Sequence, residues 1–311
     1  MKKDFESLYN ELTSQESDFY EIWNKANKDR KTKNIIMVLV LLVSIVILAI
    51  VIKTQQEALL PVAKIMIFVD IFALVILEII FNKSSTMYND TYKKNIVEKL
   101  ICNFFDEVDY VPKKKMPMDI YNEVSYNESY NEYVSDDYIE AKIDNKYDMK
   151  MAEVKTVKET TYIDSDGNTR TEKITVFWGL FAKIEINKFT KNSLQIRPDK
   201  SIGKKQRLEM DSSEFEKYFD VKSENNIVGM QMLTSDIMEL LLNYRKELDK
   251  PIDIDVINNC IYIRLHVENM FEAKVNSKDV IDRGKTKEYY SMLNFIYDLS
   301  KQVIEMGEGD Y

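Results

Sequence analysis

Two apolar runs near the N-terminus constrain this chain more than anything else in it. Residues 35–52 read IIMVLVLLVSIVILAIVI, eighteen positions interrupted only by Ser44. At about 1.5 Å per residue, a helix of that length covers most of a roughly 30 Å hydrocarbon layer. A second run follows almost at once, from Leu59 to Phe81. A cleaved signal peptide fits poorly, because the first run begins well inside the chain, is too long for an h-region and lacks a small-residue cleavage site. The pattern predicts a hairpin of two spanning helices over 34–81, one at 34–53 and one at 61–81.

Flanking charge sets the orientation. Lys25, Lys28, Arg30, Lys31 and Lys33 precede the first run, and Lys83, Lys93, Lys94 and Lys99 follow the second. The short connection has only Lys53 and Lys64 at its edges. The positive-inside bias therefore predicts a multi-pass protein of the cell membrane with both termini in the cytosol. Cys102 and Cys260 have neither metal-type nor disulfide-type spacing, which agrees with a reducing compartment. Residues 1–33 are neutral overall and 34–81 sum to −1, so 82–311 hold −8 of the total −9. A domain this acidic is poorly suited to phosphate backbones, and nucleic acid is not expected as a partner.

The remaining pattern divides the chain further. Residues 1–33 place Phe5, Leu8, Tyr9, Leu12, Phe19, Tyr20 and Trp23 largely on one stripe of a cytosolic amphipathic helix. Residues 82–110 place Val97, Leu100, Ile101, Phe104, Phe105 and Val108 on another, read as a juxtamembrane helix ended by the breaker-rich segment VPKKKMP at 111–117. The two stripes suit a short antiparallel stalk, with a helix lying on the lipid surface as the rival. Over 111–311, residues 138–163 and 170–187 alternate apolar and polar and read as strands around an Asp166–Gly167–Asn168 turn. Thr234–Leu248 reads as a capped helix stopped before Pro251, 252–257 and 260–267 as a hairpin around Asn258–Asn259, and 287–304 as a final helix. The predicted fold class is α+β: a two-helix transmembrane hairpin with cytosolic helical extensions, then a mostly antiparallel sheet domain with packed helices.

Four segments carry a resemblance. Ser135–Asp144 (SDDYIEAKID), Val176–Lys188 (VFWGLFAKIEINK), Asp211–Val221 (DSSEFEKYFDV) and Met230–Leu241 (MQMLTSDIMELL) resemble, in this order, the bacterial family called domain of unknown function 3137. The resemblance covers about half the chain, from Ser135 to about Ala273. It implies two membrane helices followed by this domain. It brings no catalytic residues with it. Ala141 stands where glycine is expected, and Ser235–Asp236 replaces a Thr-Pro type of helix start.

Chemistry-bearing candidates are few. His266 is the only histidine, in the strand-like run IYIRLHV, with neither a nucleophile nor an orienting partner assignable; a structural role is expected. Three His and Cys residues in all argue against a zinc site, and no cofactor or metal is expected. Asp164, Asp166 and Asn168 begin like a calcium loop, but the position that needs a bidentate glutamate is Thr175, so a turn is expected. Seven glycines leave no phosphate-cradling run. The repeated Tyr-Asn-Glu at 121–123, 126–128 and 130–132 reads as a polar, aromatic segment packing on the domain, with a docking motif as the alternative.

Asp70 is the most informative single residue, an acid near the middle of the second run, where it costs about 2.5–3.5 kcal/mol even on insertion scales. Ser44 occupies the middle of the first run, at matching depth in an antiparallel hairpin. Asp70 is expected to hydrogen-bond Ser44 or its symmetry mate in an oligomer; the alternative is an ion- or proton-sensing group in a pore. Glu78, close to Lys83, reaches the interface and needs no special account. The reading that follows is a non-enzymatic, membrane-anchored adaptor or sensor that binds a protein partner and self-associates as a homo-oligomer. The alternatives are a membrane-bound enzyme or ligand-triggered effector, which needs a pocket lined by carboxylates with Arg207, Arg264 or Arg283, and a small channel subunit built from oligomerised hairpins.

Overall fold

The computed structural model describes residues 2–54, 60–124, 128–186, 193–203 and 206–308. The chain divides into two compact units: Glu6–Ile96 with Glu272–Lys285, and Met1–Phe5 with Val97–Phe271 and Thr286–Tyr311.

The first unit is helical. It contains α1 (Phe5–Ser14, from its second residue), α2 (Glu16–Thr54) and α3 (Leu60–Tyr92), the last followed by a π-helical turn over Lys93–Val97. Leu8, Leu12, Phe19 and Trp23 of the predicted amphipathic stripe are buried, while Tyr20 is exposed. The amphipathic helix predicted over 1–33 is divided: its first half forms α1, and its second half, from Glu16, continues into the first apolar run as the single helix α2. Among the described residues one stretch, Phe19–Val51, is long and apolar enough to cross a membrane, with a mean hydropathy of 3.2 in its most apolar window. The connection between the two runs, 55–59, lies outside the described residues. The segment Glu272–Lys285 is tied to these helices: the Tyr88 hydroxyl donates to the Val280 carbonyl, and the Val280 N–H donates to Glu16 at 3.1 Å. The Lys93 ammonium pairs with Glu272 at 2.6 Å.

The second unit is built on one eight-stranded sheet, β1 (Asp106–Val111), β2 (Glu132–Ile143), β3 (Tyr147–Ile163), β4 (Thr169–Glu185), β5 (Leu194–Pro198), β6 (Phe219–Ser223), β7 (Ile252–Ile257) and β8 (Cys260–Leu265). Every pairing is antiparallel, in the order β1-β2-β3-β4-β8-β7-β5-β6. The α+β reading holds. The juxtamembrane helix does not extend over 82–110: after the π-helical turn, α4 (Glu98–Cys102) ends it, and Val108 lies in β1. Helical spacing of apolar residues cannot register that β1 gains a ladder to β2, with Tyr110 opposite Ile139, and this tertiary pairing overrides local preference. Nor is 138–163 one strand. Asp144 and Asn145 both have positive φ and turn β2 back into β3. Asp and Asn tolerate that region better than most residues.

Other local signals match. Thr234 caps α7 (Ser235–Leu248) by accepting the Ile237 N–H, and Asp249 closes it in the left-handed region. Asn258 and Asn259, with φ of 52° and 58°, make the two-residue β7–β8 hairpin. The side chain of Asp164 accepts the N–H groups of Asp166 and Asn168, as a turn requires. A short helix α5 (Met118–Tyr121) follows β1, and α6 (Asn226–Met232) follows β6. The final helix α8 (Arg283–Glu308) begins earlier than predicted.

Strand parity gives the sheet two unlike faces. On one, Leu180, Ala182, Ile184, Ile261, Ile263, Leu265, Ile252, Ile254, Val256, Leu194 and Ile196 are buried in register. α7 and α8 bury their own apolar stripes and stack Tyr244 on Phe295 at 4.0 Å. On the other, Ala152, Val154, Phe177, Phe181 and Tyr262 form a cluster with Met116, Tyr121 and Val124 from the chain that crosses between β1 and β2. At Gly179 the strands approach so closely that a Cβ would lie 1.9 Å from the Leu265 carbonyl oxygen, so only glycine fits there.

Candidate functional site

The second face of the sheet carries charge as well as aromatic rings. Arg197 of β5 lies opposite Asp220 of β6, Gln195 of β5 opposite Asp255 of β7, and Asp253 of β7 opposite Arg264 of β8. In β7 the alternation Ile-Asp-Ile-Asp-Val puts both aspartates on this face and the aliphatics on the other. Arg264, Asp253 and Asp255 are each at most 3% exposed. Ions buried this deeply require close partners.

The partners are present. Asp253 accepts Arg264 Nε at 3.1 Å and pairs with its Nη2 at 2.8 Å. The opposite edge of the same guanidinium is taken by Glu128, at 2.8 Å from Nη1 and 3.3 Å from Nη2, and Nη1 also reaches the Tyr121 hydroxyl at 3.3 Å. Arg197 Nη2 donates to both carboxylate oxygens of Asp255, at 2.7 and 2.8 Å, and Nη1 donates to the carbonyls of Ile196 and Ile254. Gln195 adds an amide donor to Asp255 at 3.0 Å. Burial pushes the Asp253 carboxyl upward. The His266 hydrogen bond and the Arg264 and Arg197 charges outweigh it and hold the group below the usual aspartate value. Asp220, fully buried, accepts the Ile202 N–H at 2.9 Å and Arg207 Nη1 at 2.8 Å, which fixes the chain after β5.

A cleft of about 350 Å³ opens beside this network, lined by Glu128, Gln195, Arg197, Gln206, Lys222, Asp253 and Arg264 among others. Among the described residues Lys222 has no hydrogen-bond or ion-pair partner, whereas Arg264 uses both edges of its fork.

Sequence-predicted residues fall in several places. His266 Nε2 lies 2.7 Å from Asp253 Oδ2, with its ring edge-on to Phe177 at 5.0 Å, a positioning role. Of the three candidate arginines, Arg264 lines the cleft, Arg207 braces Asp220 behind it, and Arg283 pairs with Glu6 in the helical unit. The described residues of the repeated Tyr-Asn-Glu segment pack on the domain, and each glutamate finds a partner: Glu123 holds Lys183 and Tyr262, Glu128 holds Arg264, and Glu132 holds Lys173. Tyr126 and Asn127 lie outside the described residues. In the helical unit, Ser44 Oγ lies within hydrogen-bond range of both the Val40 carbonyl and Asp70 Oδ2, and Lys33 pairs with Glu78 at 2.9 Å, so α2 and α3 run side by side.

Arg197, Asp253 and Asp255 are not among the residues that sequence reasoning selects. The alternation of β7 is the signal for them, since two acids between isoleucines in a strand buried on both faces must find buried cations. One further acidic group is invisible in the sequence. Asp136, Asp137 and Glu153 bring one carboxylate oxygen each within 4.8 Å of one another. Asp137 accepts Tyr110 at 2.6 Å, and Glu153 accepts Trp178 Nε1 and the N–H groups of Asn269 and Met270. Burial, with repulsion from Asp136 and Asp137, pushes Glu153 up to about 7 against those donors.

No curated protein matches the chain in sequence. The crystal structure of the mycobacterial trehalose monomycolate transport factor A, TtfA, aligns over 70% of this chain and 96% of that one, at 9% identity and a TM-score of 0.35, a level of likeness on which no argument rests. The first resembling motif, Ser135–Asp144, lies before the segment that a family model matches. From β4 into α8, residues 175–303 match the family described as "Protein of unknown function (DUF3137)", the family that the sequence motifs resemble.

Proposed function

We propose that this chain is a membrane-anchored sensor or adaptor, in which a transmembrane hairpin of α2 and α3 holds the α+β domain on the cytosolic side, where it binds a protein partner. One observation carries the anchor. The apolar side chains of both helices point outward: Ile35, Val43 and Ile45 of α2 are more than half exposed, as are Phe68, Phe72 and Ile79 of α3. A water-soluble helix turns such residues inward, and only a hydrocarbon surrounding makes this arrangement favourable. Asp70 meets Ser44 inside the pair, which favours a structural role over a pore-lining one. Lysines flanking both helices favour the cytosolic side. The buried charges beside the cleft are committed to one another, and the histidine is committed to Asp253, which favours binding over chemistry.

A second reading, a ligand-triggered effector, is favoured by the cleft beside Arg264 and Lys222. Fractionation tests the anchor: the protein should stay with membranes through an alkaline carbonate wash and leave only with detergent. Protease outside intact cells should leave the domain whole. Release by the wash, or digestion from outside, sinks the proposal. Affinity purification in mild detergent that returns neither a partner nor a second copy removes the adaptor half.

A further inference from the structure

Arg264 is a two-sided fork. Its inner edge is fixed to Asp253, a carboxylate of the sheet itself, and its outer edge holds the carboxylate of Glu128 in near-bidentate geometry. Glu128 differs from the rest of the network in origin and exposure. It lies outside the strands, on the chain crossing from β1 to β2, and its side chain is 33% exposed against 2% for Arg264. The cleft continues past it, with polar walls that exceed their partners: Lys222 is unpaired among the described residues, and Gln206 also lines the space. With Glu128 in place, the charges of Arg197, Arg264 and Lys222 are balanced by Glu128, Asp253 and the adjoining Asp255. Without it, one positive charge is left uncompensated at the outer edge of a buried guanidinium. A planar fork of this kind selects carboxylate or phosphate oxygens.

We propose that the cleft is a binding site for a small soluble anion bearing a carboxylate or phosphate group, and that Glu128 occupies the anion's place on Arg264 as a tethered stand-in. The incoming anion displaces Glu128, takes the outer edge of Arg264 and gains Lys222. This rests on the ligand-triggered reading and not on the anchor. The volume, about 350 Å³, lies at the small end of ligand sites.

The test uses the full chain in mild detergent, with citrate and inorganic phosphate as probes in separate titrations at fixed ionic strength, read by thermal unfolding and by calorimetry. Glu128→Gln should bind at least one probe tenfold or more tighter than the unaltered protein, because the internal competitor has lost its charge. Lys222→Met, which removes a side chain with no hydrogen-bond or ion-pair partner among the described residues, should weaken that binding at least fivefold in either background. Glu128→Gln binding no tighter than the unaltered protein overturns the proposal, as does binding that Lys222→Met leaves unchanged. Should Glu128→Gln fail to fold, the Lys222→Met comparison in the unaltered protein decides alone. Membrane fractionation is scored separately, so a failed anchor and a failed anion site give different results.

Discussion

The helical pair and the sheet domain solve opposite problems with polar groups. In α2 and α3 the apolar residues face outward, and the one acid near the middle meets a single serine inside the pair. In the sheet, aliphatic residues dominate one face, while the other buries a lattice of ions in which Arg197, Asp255, Asp253, Arg264 and Glu128 each have a partner. The difference teaches what each region treats as its solvent. In the hydrocarbon surroundings proposed for the helical pair, exposing apolar surface costs nothing and polar groups near the middle are tolerated only when paired. Where the surroundings are water, the apolar face is sealed, and ions go inside only as a matched set.

The largest expected effect breaks the matched set. Arg264→Met leaves Asp253 and Glu128 without their shared cation, and the domain should lose about 3–5 kcal/mol in urea unfolding. A loss below about 1 kcal/mol would mean that the lattice is not interdependent. Next comes Glu153, the buried acid on the apolar face. Its proton is held more tightly in the folded state than in the unfolded one, since its value rises from 4.5 to about 7. The native state therefore binds more protons over that interval, and stability falls as pH rises from about 4.5 to 7, by up to roughly 3 kcal/mol. Denaturation at pH 5 and pH 7 should show this slope in the unaltered chain and a flatter one in Glu153→Gln; equal slopes would refute it. The smallest effect lies in the helical pair. Ser44→Ala should cost only about 0.6 kcal/mol of thermal stability in detergent, the usual worth of a hydrogen bond between membrane helices. A much larger loss would make the Ser44–Asp70 pair a keystone and erase the contrast.

Much of the fold is legible in the order of residues. The apolar runs, the α7 cap, the Asn258–Asn259 hairpin and the Asp164 turn all follow from chemistry within a few residues of chain. The mismatches lie where distant strands compete with local pattern. Phe104 and Phe105 continue the helical spacing, yet the helix ends before them because β1 pairs with β2, and the turn at Asp144–Asn145 is hidden inside an apparently continuous alternation. Arg264 is a candidate on sequence grounds, but its partners are not. Glu128 lies 136 residues away, a separation that no local spacing encodes, whereas Asp253 faces Arg264 in the register of the Asn258–Asn259 hairpin.

What the sequence determined by itself was the class and the division of the chain: two N-terminal apolar runs, an acidic remainder, and the alternation that makes an antiparallel sheet in an α+β fold. Hydropathy and side-chain period act residue by residue, so they can be read along the chain. What only the tertiary structure decided was which charges meet, because the energy of a buried ion depends on the few ångströms between it and its partner, and that distance is set by folding, not by order in the chain.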